Sequence, residues 1–287
     1  MNVSGVLNKM AVSFDHGMVS YELRVGESQT PLADLIGHGL RIEYSDQILC
    51  AHCGNPTSRS YSGGYCYQCF KTLAQTDLCI VRPDRCHYAL GTCREPEWAD
   101  GFCMQTHVVY LACSSGPKVG LTREGQQLTR WIDQGACKAV PVYRAQTRHL
   151  AGVVEVMLTQ HMSDRTDWRK MLTESGESVD LEAIKRRVTN LVNLPEGVTG
   201  FDAEPVAFTY PGEPEKLPTR SLNNRFVLSG QTPVVEGRLM AIKGQFLIFE
   251  HGVFNVRQHR SYNVNVQLVA DDLLNVTPEA DTQMELF

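Results

Sequence analysis

A chain of 287 residues is long enough for two domains, or for one domain that carries insertions. With 43% hydrophobic and 21% charged residues it has an ordinary globular composition, and no apolar run approaches the roughly eighteen residues that a membrane span needs. A net charge of −5 excludes a surface coated by nucleic acid and confines any such contact to local basic patches.

Residues 1–48 read as an N-terminal β segment. Met10–Phe14 and Met18–Val25 are strand-like runs separated by Asp15-His16-Gly17, a hairpin turn, and Leu40–Tyr44 alternates like a half-buried strand.

Residues 49–107 form a cysteine-rich module. Cys50-Ala51-His52-Cys53 and Cys66-Tyr67-Gln68-Cys69 are two CxxC knuckles. That spacing places two sulfurs of each knuckle on one side of a tetrahedral Zn²⁺ ion. Gly54, Asn55, Pro56 and Ser62-Gly63-Gly64 supply turns between them, as in a zinc ribbon. The rival disulfide framework would require export. Residues 1–20 show no basic head followed by an apolar run, so reduced thiols and a cytoplasmic location are expected.

Cys79, Cys86, Cys93 and Cys103 form a looser set, with His87 and His107 nearby. A second zinc site is expected here. The four cysteines are the first choice, and a set in which His87 or His107 replaces one of them stays open. Cys113 and Cys137 are isolated and read as core positions.

Residues 108–175 read as an α/β unit. Val108–Ala112 and Lys118–Leu121 are strands around the turn Ser114–Pro117. A helix is expected from Arg123 to Gln134, capped by Thr122 and closed by Gly135. Ala139–Tyr143 is a third strand. Leu150, Val153, Val154, Met157 and Leu158 then keep helical spacing, and another helix covers Asp167–Leu172.

Residues 176–200 supply a further amphipathic helix, Leu181–Leu194, and a linker. Residues 201–275 are loop-rich and then β, with strands at Val234–Ile242, Gln245–Phe249, Val253–Val256 and Tyr262–Val269, followed by a loose tail at 276–287. Neither terminal β segment makes a domain alone, so the two are expected to pair into one β-module around the zinc-binding and α/β insertions. The fold class expected is α+β.

In the α/β unit, Val108-Val109-Tyr110 and Lys118-Val119-Gly120 are followed by Arg130 on one helix and Glu155 on the next. This order resembles the GIY-YIG nuclease superfamily, in its Lys-Ile-Gly-type variant, over roughly residues 106–160. Val108 replaces the glycine of the first motif and Lys118 the tyrosine of the second. More of the chain, including Cys86-His87, Gly91-Thr92-Cys93-Arg94 and Trp131–Ala136, is similar to a bacterial family of uncharacterised zinc-ribbon-containing proteins.

The resemblance implies phosphodiester hydrolysis with one divalent metal. Glu155 would hold Mg²⁺ or Mn²⁺, and Arg130 would stabilise the scissile phosphate. Tyr110 would orient or deprotonate the attacking water, and Lys118 would pair with phosphate or accept a proton if desolvated.

Contacts with nucleic acid are expected independently. Tyr61, Tyr65 and Tyr67 lie beside Arg59 and Lys71, and Arg123, Trp131, Arg169 and Lys170 extend the basic and aromatic set. The leading reading is a zinc-containing protein that binds DNA or RNA and acts as a metal-dependent endonuclease. Two others stay open: an inactive binder of RNA or single-stranded DNA, and a zinc-stabilised protein-interaction scaffold.

Overall fold

In the computed structural model, which describes residues 1–176, 179–223, 234–270 and 274, the N-terminal segment forms five strands. These are β1 (Asn2–Val6), β2 (Ala11–Asp15), β3 (Met18–Val25), β4 (Ser28–Pro31) and β5 (Gly39–Leu49). The stretch 276–287, read as a tail, lies outside the described residues. Left-handed backbone at His16 (φ 45°) and Gly17 (φ 86°) closes the β2–β3 hairpin. Side chains of β3 alternate between solvent and core, as its sequence alternation requires.

The cysteine-rich segment contains short elements only: β6 (Pro56–Thr57), α1 (Tyr67–Thr72), α2 (Leu78–Val81) and α3 (Pro96–Phe102). Next come β7 (His107–Cys113), β8 (Pro117–Arg123), α4 (Gln127–Asp133), β9 (Lys138–Ala145), α5 (Arg148–Thr159), α6 (Trp168–Thr173) and α7 (Leu181–Thr189). The remaining strands are β10 (Val198–Gly200), β11 (Val206–Ala207), β12 (Val234–Lys243), β13 (Phe246–Phe249), β14 (Gly252–Asn255) and β15 (Tyr262–Val269). No helix among the described residues is long and apolar enough to cross a membrane.

The expected helix Arg123–Gln134 is shorter at its start. β8 keeps pairing with β7 out to the His107–Arg123 register, and Gly125 (φ 83°) turns the chain before α4 begins at Gln127. Ladder hydrogen bonds here outweigh the local capping signal of Thr122.

The fold is mixed and mostly strand. β1, β15, β5, β12, β13 and β14 lie side by side in that order, so strands from both ends of the chain share one sheet. In a second sheet of order β10-β9-β7-β8, β7 is central, and its continuous apolar run is buried throughout. β2, β3 and β4 form a third sheet.

One face of the β7 sheet, with Tyr110 and Ala112, joins Trp131 and Ile132 of α4 in a core shared with Leu40, Leu239 and Phe249. The opposite face, with Val109, Leu111 and Val119, packs on Ala151, Val154 and Leu158 of α5. Each buried valine, leucine or isoleucine here contributes about 1.5–3 kcal/mol. α5 also docks on the turn Pro83–Arg85 of the cysteine-rich segment. A β-carbon at Gly152 would stand 2.6 Å from the Pro83 β-carbon and 2.7 Å from the Asp84 amide nitrogen, so only glycine permits this approach. The helix bearing Glu155 is thereby seated on the cysteine-rich module.

Candidate functional site

β8 is an edge strand, and the candidate site forms along it. Lys118 and Gly120 pair with Ala112 and Tyr110 of β7. Past α5 the chain returns to this edge, where the Val119 amide donates to the Ser163 carbonyl (2.9 Å). The Lys118 ammonium donates to the Thr166 hydroxyl (2.5 Å) and is 3% exposed. Burial and then the Arg130 charge bring its pKa down to about 8, against Asp164 and Glu155, which favour the charged form.

Tyr110 is fully buried and its hydroxyl donates to Gln134 Oε1 (2.9 Å). Burial raises its pKa, although the charge of Arg130 and a hydrogen bond from it act in the other direction. That shift favours the neutral phenol, so of the two roles expected for Tyr110 it suits orienting a water better than deprotonating one. It anchors Arg130 of α4 and Gln134, the residue that ends that helix.

Glu155 is half-buried on α5. Burial, followed by the negative charge of Asp164, raises its carboxyl to about 7, while Arg148 and Arg130 oppose the rise. Lys118, Arg130 and Glu155 thus lie within electrostatic reach of one another around Tyr110. Arg148 and Asp164 complete the set, and the sequence reading missed both. Arg148 stands seven residues before Glu155 and so shares its helix face, a spacing that was readable. Asp164 and Thr166 sit in irregular chain and had no local signal.

Arg148 also ties this site to the cysteine-rich segment. Its amide donates to the Cys103 carbonyl (2.8 Å) and its guanidinium to the Ile80 carbonyl (2.6 Å). Arg123 and Arg148 both lie over the Phe102 ring, at 5.2 and 5.8 Å.

The first cysteine cluster has the sulfur spacing that a metal site needs. Sulfurs of Cys50, Cys53, Cys66 and Cys69 all lie within 4.8 Å of one another. The Cys66 amide donates to the Cys50 sulfur (3.2 Å). Burial opposes the Cys50 thiolate, but amides of Cys53, Cys66 and His52 outweigh it and lower the pKa to about 6. Burial and the neighbouring sulfurs push Cys69 up to about 12, so a cation is what lets all four carry charge together. The donor set fits zinc.

In the second cluster, Cys79, Cys86, Cys93, Cys103 and His87 line one small pocket with Asp77; His107 lies outside its lining. The group meeting the 4.8 Å spacing here is Asp77, Cys79 and His87. Burial and the surrounding acidic groups raise Cys79 to about 11.

The expected nucleic-acid contacts divide. Arg59 lies over the Tyr61 ring (5.4 Å) and Lys71 over Tyr67 (5.5 Å), with Tyr61 stacked on Phe70. Arg59, Lys71 and Tyr67 are exposed, and Tyr61 is half-buried, so this face of the hairpin is basic and aromatic. Tyr65 is buried in the hairpin core. Trp131 is 3% exposed and packs edge-on against Tyr110 (5.8 Å), so it cannot stack a base. Arg169 and Lys170 are exposed on α6, where Arg169 covers the Trp168 ring (4.4 Å).

A protein-family profile described as "Protein of unknown function (DUF2797)" matches residues 37–264. Neither a curated protein nor a solved structure matches the chain.

Proposed function

The chain belongs to the DUF2797 family, and we propose that it is a zinc-containing, metal-dependent endonuclease that hydrolyses phosphodiester bonds in DNA or RNA. The observation that supports this most is the gathering of Lys118, Arg130 and Glu155 around buried Tyr110, in the order that resembles the GIY-YIG superfamily. Glu155, with Asp164 beside it, is the place for Mg²⁺ or Mn²⁺, since a divalent cation would relieve the repulsion between two carboxylates. When bound, such an ion neutralises charge on the phosphate oxygens.

The protein's own groups do the rest. Arg130 binds the scissile phosphate and stabilises its developing charge. Desolvated Lys118 accepts the proton of the attacking water. Arg148 adds a second positive charge on the α5 side, and Tyr110 holds Arg130 in place. A zinc held by all four sulfurs of the first cysteine cluster would have no coordination position open for water, and its role would be to brace the hairpin.

The test is metal-dependent cleavage of a mixed panel of DNA and RNA structures. Activity that needs Mg²⁺ or Mn²⁺ and disappears in Glu155→Ala supports the reading. Cleavage that survives Glu155→Ala, or no cleavage of any substrate, sinks it. A second reading, nucleic-acid binding without cleavage, draws on Lys118 being covered by Ser163 and Thr166. It expects salt-sensitive binding in the same panel with no product.

A further inference from the structure

Between the cysteine hairpin and the turn Arg257–His259 lies a cleft of about 600 Å³, a volume that accommodates a nucleotide. Ser60, Ser62 and Gly63 form its hairpin wall, and Asn255, Arg257 and Gln258 the opposite wall. No carboxylate is among the described residues that line it, although the chain carries 32 acidic side chains. Arg257 is the permanent positive charge there and is exposed to solvent. Burial holds His259, at the same wall, toward its neutral form. The Ser60 hydroxyl is buried against the cleft without a hydrogen-bond partner among the described residues.

The position of the cleft matters as much as its lining. The Val256 amide donates to the Gln245 carbonyl (2.9 Å), and the Gln245 side chain donates to Asp133 at the end of α4 (2.9 Å). That chain of bonds carries Arg257 to the end of the helix that bears Arg130. The protein mass around Arg257, and then the Arg130 charge, lower its pKa, so the two guanidinium groups share one field. On its other side the cleft is lined by Ser60, whose chain neighbours are Arg59 and Tyr61, the ring that Arg59 covers. Arg257 thus stands between Arg130 and the basic and aromatic face of the hairpin, with the Asp133 carboxylate, which also pairs with Lys9, on the α4 side.

We propose that this cleft seats a backbone phosphate of a single-stranded polynucleotide, away from the scissile bond, with Arg257 as its cationic contact and Ser60 as a hydroxyl donor. The proposal rests on the nuclease reading for what occupies the Arg130 end. A single strand fits because one phosphate must enter between two walls while its bases reach Tyr61, which a paired duplex would not allow.

The experiment uses the full zinc-loaded chain carrying Glu155→Gln, so that bound strands stay intact. Fluorescence anisotropy compares labelled single-stranded DNA, single-stranded RNA and matched duplex across a salt series. Arg257→Ala is expected to weaken single-strand binding about fivefold or more and to reduce the log–log salt slope by about 0.7, the loss of one phosphate contact. Gln258→Glu, which puts a carboxylate into the cleft, should weaken it too, while Arg257→Lys keeps most of the affinity. Zinc content, measured for each variant, must be unchanged.

Affinity and salt slope equal to the unsubstituted protein in Arg257→Ala overturn the proposal, as does binding of duplex alone or of no strand. If the protein binds single strands through Arg257 but the chain with Glu155 restored cuts none, the cleft stands and the hydrolytic reading falls. If it cuts and Arg257→Ala binds normally, the reverse holds. Whether DNA or RNA binds more tightly then names the strand.

Discussion

The Tyr110 ring lies over Gly120 on the neighbouring strand: a β-carbon at Gly120 would stand 2.6 Å from the Tyr110 hydroxyl oxygen and 2.7 Å from its Cζ. The ring can reach Gln134 and Arg130 on α4 only because the paired residue has no side chain. Gly120→Ala is therefore expected to destabilise the protein by about 1–3 kcal/mol, the usual range for an overpacked core. Tyr110→Phe should not rescue it, since Cζ remains in place. Denaturant unfolding of the two single variants and the double variant measures this, and a Gly120→Ala change below about 0.5 kcal/mol would contradict the packing argument.

Zinc should depend on the hairpin's own sulfurs. Cys50 and Cys69 are two of the four buried residues in the hairpin's small core, with Tyr65 and Leu73. Metal removal thus takes away much of what orders residues 50–69. Cys53→Ser should cost about one equivalent of zinc and lower the unfolding midpoint, and Cys113→Ala should leave zinc content unchanged. Metal release upon thiol modification counts the equivalents.

His107 predicts how stability varies with pH. It is fully buried, its Nδ1 faces the Gln105 carbonyl (2.7 Å), and its Nε2 has no partner among the described residues. Burial lowers its pKa to about 4, with Arg148 and Arg123 acting in the same direction and the Gln105 carbonyl against them. The unfolded chain, with an ordinary imidazole near 6.5, binds more protons between those values. Stability is then complete above about pH 6.5 and falls as the pH drops toward about 4, by about 3 kcal/mol for this group alone. Unfolding measured at both ends of the window should show that loss reduced in His107→Gln. An equal loss in both proteins would refute the assignment.

Cleavage, on the proposed mechanism, should rise with pH. Glu155 must be ionised, above about 7, and Lys118 neutral, above about 8. The rate should climb through that interval and level off beyond it. Lys118→Arg, which stays protonated, should lose activity across the range by about 10²–10⁴-fold. A flat profile between pH 6 and 9, or full activity in Lys118→Arg, would exclude Lys118 as the base.

The candidate site was legible where chemistry follows chain spacing. Two CxxC pairs announced four sulfurs that come within 4.8 Å. Trp131 shows where spacing misleads. It adjoins Arg130, yet neighbouring helix residues point about 100° apart, so Arg130 faces the site while Trp131 enters the core. Arg257, more than a hundred residues from Arg130, had no sequence signal at all.

Periodicity, turn chemistry and metal-ligand spacing are properties of neighbouring residues, and they were enough to locate the hairpin of cysteines, the buried strand around Tyr110 and the amphipathic helix bearing Glu155. Long-range pairing settled the rest. The sheet joining β1 and β5 to β12 and β15, the return of Ser163 to the β8 edge and the approach of Arg257 to α4 all unite residues far apart in the chain. So do the electrostatics: Lys118 at about 8 and Glu155 at about 7 reflect burial and neighbouring charge, which exist only once the chain has closed around them.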